Sequence, residues 1–278
     1  MLSLSSQSVA VVTGGASGIG LAVAGRFADM GLRVCIADLE GRRLAEAAEA
    51  LAARAPDGAG SIMAVATDVS RIEDVQRLEA AVRERFGGAD ILMNNAGVQP
   101  GSAMFGPNEA WERVISVNLW GVINGARIFA PGMIARGRPG YIVNTGSKQG
   151  ITTPPGNAAY NVSKAGVKVF TEATAHELRQ VAGGLVTAHL LIPGFTHTGL
   201  TQSAEKPPAA WTADQVAAFM LDGMARGDFY ILCPDNDVDR ATDEKRMLWA
   251  MGDIVENRPA LSRWHPDYKE AFARFMAG

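Results

Sequence analysis

Ser8-Val9-Ala10-Val11-Val12-Thr13-Gly14-Gly15-Ala16-Ser17-Gly18-Ile19-Gly20 runs from an apolar, β-branched stretch into a glycine-rich turn directly ahead of a helical pattern. Glycines at such a turn let the backbone approach a pyrophosphate, and the helix N-terminus adds unpaired N–H groups and the positive end of a dipole. Tight packing between strand and helix can ask for the same glycines. Placement after the first strand of an alternating chain favours the phosphate reading. The spacing is GxxxGxG rather than GxGxxG.

Working outward, short apolar runs alternate with longer helical patterns. Strands are expected at 8–13, 33–37, 61–66, 90–94, 140–145, 185–192 and 229–232, and helices near 18–30, 41–54, 71–86, 108–136, 157–182 and 212–226. Most of the strand runs are apolar at nearly every position, as in strands covered on both faces. The β–α alternation therefore predicts an α/β fold, a parallel sheet with helices on both sides. No repeat or low-complexity linker divides the chain, so residues 1–278 are expected to form a single domain. Its core spans about 8–232, followed by a helical extension over about 233–278.

Composition narrows the function classes. Of the 278 residues 47% are hydrophobic and 20% charged, which suits a large buried core. The formal charge of −3 comes from interspersed signs, so there is no basic footprint for nucleic acid. Two cysteines, Cys35 and Cys233, cannot build a disulfide framework and are expected as buried thiols. The first strand is reached without a secretory leader pattern, and no apolar stretch is long enough to span a bilayer. A cytoplasmic protein without a membrane partner is expected.

The second strand ends in Asp38, eighteen residues after Gly20, close to the spacing of an acid that hydrogen-bonds a ribose 2′-hydroxyl. A carboxylate there repels a 2′-phosphate, so NAD is preferred over NADP, although Asp38 could instead cap the next helix. Arg42 and Arg43 follow and could meet a phosphate or stand in solvent. Asp68-Val69 after the third strand could receive an adenine amine. Asn94-Asn95-Ala96-Gly97 ends the fourth strand and reads equally as a ribose-facing turn or a structural one. Asn118, an amide among Val117, Leu119 and Trp120, is either a buried, satisfied group or part of a proton path.

Tyr160-Asn161-Val162-Ser163-Lys164 places a phenol and an ammonium on one helical face, with Ser147 thirteen residues upstream. A free phenol, with a pKa of about 10, is a poor base at neutral pH. A nearby cation favours the phenolate, so Lys164 is expected to lower the Tyr160 pKa. Taken alone, YxxxK is common.

Together and in this order, TGGASGIG, Asp38, Asp68-Val69, NNAG, Asn118, Ser147, YNVSK and Pro193-Gly194 resemble the short-chain dehydrogenase/reductase family over about residues 8–232. The resemblance implies a doubly wound Rossmann-type domain with a seven-stranded parallel sheet in the order 3-2-1-4-5-6-7. It implies a catalytic set of Asn118, Ser147, Tyr160 and Lys164. Gly14, Ser17, Gly18, Ile19 and Gly20, then Asp38 with Leu39, Asp68 with Val69, and Asn95, Ala96 and Gly97 would hold the cofactor. Tyr160, Lys164, Pro193, Gly194, Phe195 and Thr198 would meet its nicotinamide end. The reaction implied is hydride transfer between a secondary alcohol and a ketone, with Ser147, Gln149 and Tyr160 touching substrate. A homodimer or homotetramer paired through 108–136 and 157–182 is implied as well. Two departures stand out: Gly146 before and Lys148 after the serine, and Cys233-Pro234-Asp235 with an added tail after the last strand.

Gln99, Pro100, Met104, residues 148–151 and Phe195 to Leu200 are expected to wall the substrate pocket, with 199–211 as a lid. Such walls favour a medium-sized apolar or aromatic alcohol or ketone. Lys148, Gln149 and His197 could recognise a polar group or stand at the rim in water. A metal site has little support, since no second His or Cys lies at ligand spacing from His197. The tail carries Trp264, Tyr268, Phe272 and Phe275; the last three share one helical face that must pack on its own domain or on a partner subunit. Rival readings are a non-catalytic cofactor sensor, an NADP-dependent carbonyl reductase and a nucleotide-sugar epimerase or dehydratase. The last of these usually carries a longer substrate domain.

Overall fold

A computed structural model describes residues 4–201 and 205–278. The first half alternates strictly: β1 (Val9–Thr13), α1 (Gly18–Asp29), β2 (Arg33–Asp38), α2 (Arg42–Arg54), β3 (Ile62–Ala66), α3 (Ile72–Phe86) and β4 (Ile91–Asn94). Next come α4 (Asn108–Ile115), a π-helical turn over Ser116–Trp120, α5 (Gly121–Ala135), β5 (Gly140–Thr145), the single turn α6 (Gln149–Thr152), the long α7 (Ala158–Val181) and β6 (Val186–Ile192). The chain finishes with β7 (Thr196–His197), β8 (Trp211–Thr212), α8 (Ala213–Arg226), β9 (Tyr230–Leu232), α9 (Arg240–Val255) and α10 (Lys269–Ala277).

Seven strands form one parallel sheet in the order β3-β2-β1-β4-β5-β6-β9, the expected doubly wound arrangement with β9 as its last strand. The side-chain period of two in a strand sends alternate residues to opposite layers. Ala10 and Val12 of β1 pack with Phe27 of α1, Leu51 of α2 and Met220 of α8. Val9 and Val11 pack with Leu78 of α3, Phe129 of α5 and Leu178 of α7. This explains why the central strands are apolar throughout. Cys35 and Cys233 are both buried free thiols, and burial pushes each up to about 12.

The chain reverses direction across the sheet between β1 and β4, and the helices leaving these two strands go to opposite faces. A crevice therefore opens at their carboxyl ends, the position where open α/β sheets bind ligands.

Two stretches differ from expectation. The 108–136 helix is broken by the π turn at Ser116–Trp120, which holds Asn118. The stretch expected as a lid, 199–211, runs into β8, whose Trp211 and Thr212 pair in parallel with Thr196 and His197 of β7. Residues 202–204 of the expected lid lie outside the described residues. The tail packs on its own chain. Phe272 and Phe275 of α10 lie with ring centroids 5.3 and 5.2 Å from Trp249 of α9, while Tyr268 meets His265 instead. The Trp249 indole N–H donates to Ser262 Oγ at 2.8 Å, and the Arg258 guanidinium covers the ring at 4.0 Å. Among the described residues no helix is long and apolar enough to cross a membrane.

Candidate active site

A cleft of about 1110 Å³ opens at the carboxyl ends of β1, β4, β5 and β6. It is lined by every residue assigned above to cofactor or catalysis except Gly20 and Asn118. Gly20 stands behind the wall: a Cβ there would meet Gly14 O at 2.2 Å and Asn95 Nδ2 at 2.6 Å. Gly14 holds a left-handed φ of 64°, and a Cβ on it would sit 2.8 Å from Ala96 Cα. The turn is thus bare backbone where a phosphate would lie, ahead of the N-terminus of α1. At the far wall Asp38 Oδ2 accepts from Ala16 N at 3.0 Å and Oδ1 accepts from Leu39 N at 2.9 Å. Its carboxylate is oriented before any ligand arrives. These features fit a dinucleotide. Arg43 lines the same cleft, while Arg42 pairs with Glu46 at 2.6 Å.

Thr13 is a site residue that sequence reading passed over. Its buried hydroxyl accepts from Asn95 N at 3.0 Å and Ala96 N at 3.2 Å, and donates to Met93 O at 3.4 Å. Asn95 Nδ2 returns a bond to Thr13 O at 3.2 Å, and Thr145 Oγ1 donates to Asn95 Oδ1 at 3.4 Å. The ends of β1, β4 and β5 are laced together beneath the cleft. A threonine closing a strand before a glycine turn was the available signal.

Ser147 follows β5, and its Oγ accepts from Gln149 N at 3.2 Å. Tyr160 and Lys164 occupy the first two turns of α7 and face inward, 9% and 4% exposed. Lys164 Nζ donates to Thr145 O at 2.7 Å and lies 5.7 Å from the Tyr160 ring centroid. Burial pushes this lysine down to about 8. Burial also raises the Tyr160 phenol, and its hydrogen bond with Ser147 opposes that rise. The expected lowering of the phenol by Lys164 is therefore not present in this pocket. The ammonium is turned toward a carbonyl, and desolvation of the phenolate dominates.

A family model described as short chain dehydrogenase matches residues 8–209. The chain belongs to the short-chain dehydrogenase family. It is an oxidoreductase of that family. It is 32% identical over 263 residues to 1-deoxy-11-beta-hydroxypentalenate dehydrogenase of Streptomyces exfoliatus, covering 92% of this chain and 93% of that one. A crystal structure of a short chain dehydrogenase/reductase from Burkholderia phymatum in complex with NAD superposes with a TM-score of 0.81. It is 33% identical and covers 90% of this chain and 95% of that one. A metagenomic short-chain oxidoreductase in complex with NADP gives a TM-score of 0.67 at 29% identity, covering 83% and 97%. Relatives in the family thus bind either nicotinamide dinucleotide.

Within this short-chain dehydrogenase, Asn118 is fully buried and its amide is satisfied. Val98 N donates to its Oδ1 at 2.8 Å, and its Nδ2 donates to Val98 O at 2.9 Å and to Ser163 Oγ at 3.4 Å. Both ends of the amide brace the segment after the NNAG turn. Lys148 lines the cleft as expected, but its ammonium is engaged by two carboxylates. Its Nζ lies 2.6 Å from Asp243 and 3.3 Å from Asp235. Gln149, Gln99, Pro100 and Phe195 line the cleft as expected, whereas Met104, Ile151 and His197 do not. Ile151 packs instead against the cluster of Val122, Val167 and Leu190, and Met104 is 59% exposed.

Proposed function

We propose that this short-chain dehydrogenase interconverts a secondary alcohol and its ketone, with NAD preferred over NADP and a medium-sized apolar or aromatic substrate. The observation that carries the reading is the convergence of Ser147, Tyr160 and Lys164 on the same cleft as the bare glycine turn and Asp38. A nicotinamide dinucleotide, when bound, takes or supplies the hydride. Gly14, Ser17, Gly18 and Ile19 would hold its pyrophosphate, Asp38 and Leu39 a ribose, and Asp68 and Val69 its adenine. Asn95, Ala96 and Gly97 would flank the cofactor, and Pro193, Gly194, Phe195 and Thr198 its nicotinamide.

In oxidation Tyr160 as phenolate takes the proton of the substrate hydroxyl; in reduction the phenol returns it to the carbonyl oxygen. Ser147, hydrogen-bonded to Tyr160, holds that oxygen in both directions. Lys164 is the cation beside the phenol. Asn118, its side chain anchored on the Val98 backbone, would position a water that relays the proton to bulk. Pro100, Phe195 and Leu200 give the substrate wall its apolar surface beside the polar Gln99 and Gln149, and the Streptomyces relative is named for a hydroxylated substrate. A cofactor sensor would need the glycine turn alone, so the buried Tyr160–Lys164 pair favours an enzyme. Exposed Trp120 by α5 and Val169 on α7 support pairing of copies through these helices.

Reduced-nicotinamide absorbance, followed across a panel of cyclic and aromatic secondary alcohols with NAD and NADP in parallel, tests the reading. Turnover with NAD favoured is expected. Binding of NAD with no turnover of any alcohol or ketone would sink the enzyme in favour of the sensor.

A further inference from the structure

The two departures from the family pattern meet in space. Lys148, directly after the serine, and Asp235, directly after the last strand, lie 3.3 Å apart, and Asp243 in the first turn of α9 completes the group at 2.6 Å. The Lys148 side chain is 18% exposed and each carboxylate 6%. One ammonium shared by two buried carboxylates is a costly arrangement unless the geometry is well satisfied. Here much of it is. Asp235 Oδ1 accepts from Val238 N at 2.9 Å and Asp237 N at 3.3 Å, and its Oδ2 accepts from Phe195 N at 3.1 Å. Asp239 caps α9 by accepting from Thr242 N at 2.8 Å. Burial raises the Asp243 carboxyl while Lys148 opposes the rise, as expected for a charge held in place by its partner.

Two cleft-lining segments depend on this group. One is Gly146-Ser147-Lys148-Gln149, which carries the proposed catalytic serine. The other is Pro193-Gly194-Phe195, whose Phe195 amide is held by Asp235. The group sits so close behind the second segment that a Cβ on Gly194 would meet Asp235 Oδ2 at 2.7 Å and Lys148 Nζ at 3.0 Å. Gly194 leaves the room that the ion group occupies.

We propose that Lys148, Asp235 and Asp243 are positioning residues through which the C-terminal extension holds the Ser147 segment and the Gly194-Phe195 segment in working register. The proposal rests on the alcohol dehydrogenase reading for its effect on turnover. Its effects on the ground-state structure do not. Without the ammonium, two buried carboxylates face each other, and the start of α9 must withdraw from the cleft wall. The extension then acts as a clamp on the site rather than as an appendage.

The test uses the full chain with Lys148→Met, and Asp243→Asn as the milder variant should the first fail to fold. Circular dichroism and melting establish the fold, calorimetric titration with NAD gives cofactor affinity, and steady-state kinetics give kcat and KM. Backbone amide exchange is followed at Phe195 and across Gln149–Thr152. The expected result is a cooperatively melting variant with kcat reduced at least tenfold, NAD bound at least threefold more weakly, and faster exchange at Phe195. A folded variant with wild-type kcat, NAD affinity and Phe195 exchange, differing only in melting temperature, makes the group merely structural and overturns the proposal. If the wild type turns over no alcohol, the functional reading fails, while amide exchange and NAD affinity still decide the role of the ion group.

Discussion

The ammonium of Lys164 donates to the backbone carbonyl of Thr145 at 2.7 Å, which ties the helix carrying Tyr160 to the strand end that leads into Ser147. Burial holds this lysine at about 8 against an ordinary 10.5. The folded chain thus gives up the proton more readily than the unfolded one, and stability rises as pH climbs from about 8 toward 10.5. Lys164→Met removes that dependence. In urea unfolding of the cofactor-free protein, wild type should gain on Lys164→Met by up to about 3 kcal/mol across this window. Parallel stability curves for the two proteins between pH 8 and 10.5 would contradict the assignment.

Tyr160→Phe removes the hydroxyl that the proposed chemistry needs and leaves the ring, 9% exposed, in its packing with Val114 and Ala159. General acid–base catalysis contributes roughly 100- to 10,000-fold, so kcat should fall by about that much. NAD affinity, measured by titration, should stay within about threefold. A variant that keeps wild-type turnover would show that another group moves the proton.

Much of this was readable from residues alone, for physical reasons. The sheet order follows from strands apolar on both faces alternating with helices, and the position of the cleft follows from the chain reversal between β1 and β4. Tyr160 and Lys164 were legible because four residues of helix bring them to one face. Lys148 was not, since its partners lie 87 and 95 residues further on and nothing local reports a pairing at that separation. The direction of the Tyr160 shift was missed for a related reason. Spacing shows which charge is near, but not how much water the fold removes from the phenol.

His189 of β6 is a buried titrating group far from the chemistry. Its Nδ1 lies 2.7 Å from Asp228 O and its Nε2 2.9 Å from Thr187 Oγ1, a setting that suits the neutral ring with Nδ1 as donor. Burial lowers its pKa below the ordinary 6.5. The unfolded chain therefore takes up a proton first on acidification, and stability is lost as pH falls through about 6.5. Urea unfolding between pH 7.5 and 5 should show wild type losing more stability than His189→Gln. Equal losses in the two proteins would refute this.

Ser102 caps α7, the helix that carries Tyr160 and Lys164, from a distant loop. Its hydroxyl accepts from Ala159 N at 3.1 Å in the first turn of α7 and donates to Asn157 Oδ1 at 3.0 Å, while Asn157 itself makes no side-chain cap. Loss of an N-cap costs about 1 kcal/mol. Ser102→Ala should lower unfolding stability by about that amount, whereas Ser102→Thr, which keeps the hydroxyl, should lose less. Since this loop also carries the wall residues Gln99 and Pro100, KM for the alcohol should rise more than kcat falls. Stability unchanged in Ser102→Ala would remove the capping role.

Asp38 decides between the two nicotinamide cofactors in this reading. Its carboxylate is held by Ala16 N and Leu39 N at the wall that Arg43 also lines. A negative charge fixed there repels a 2′-phosphate and receives a 2′-hydroxyl. Asp38→Asn keeps the size but removes the charge, and its amide can no longer accept at both oxygens. The ratio of kcat/KM with NAD to that with NADP should drop at least tenfold in Asp38→Asn, mostly through weaker NAD binding. With the charge gone, Arg43 is left facing the 2′-phosphate, so NADP should be used at least as well as before. A wild-type protein that prefers NADP, or a variant whose ratio is unchanged, would shift the discriminating role to Arg43.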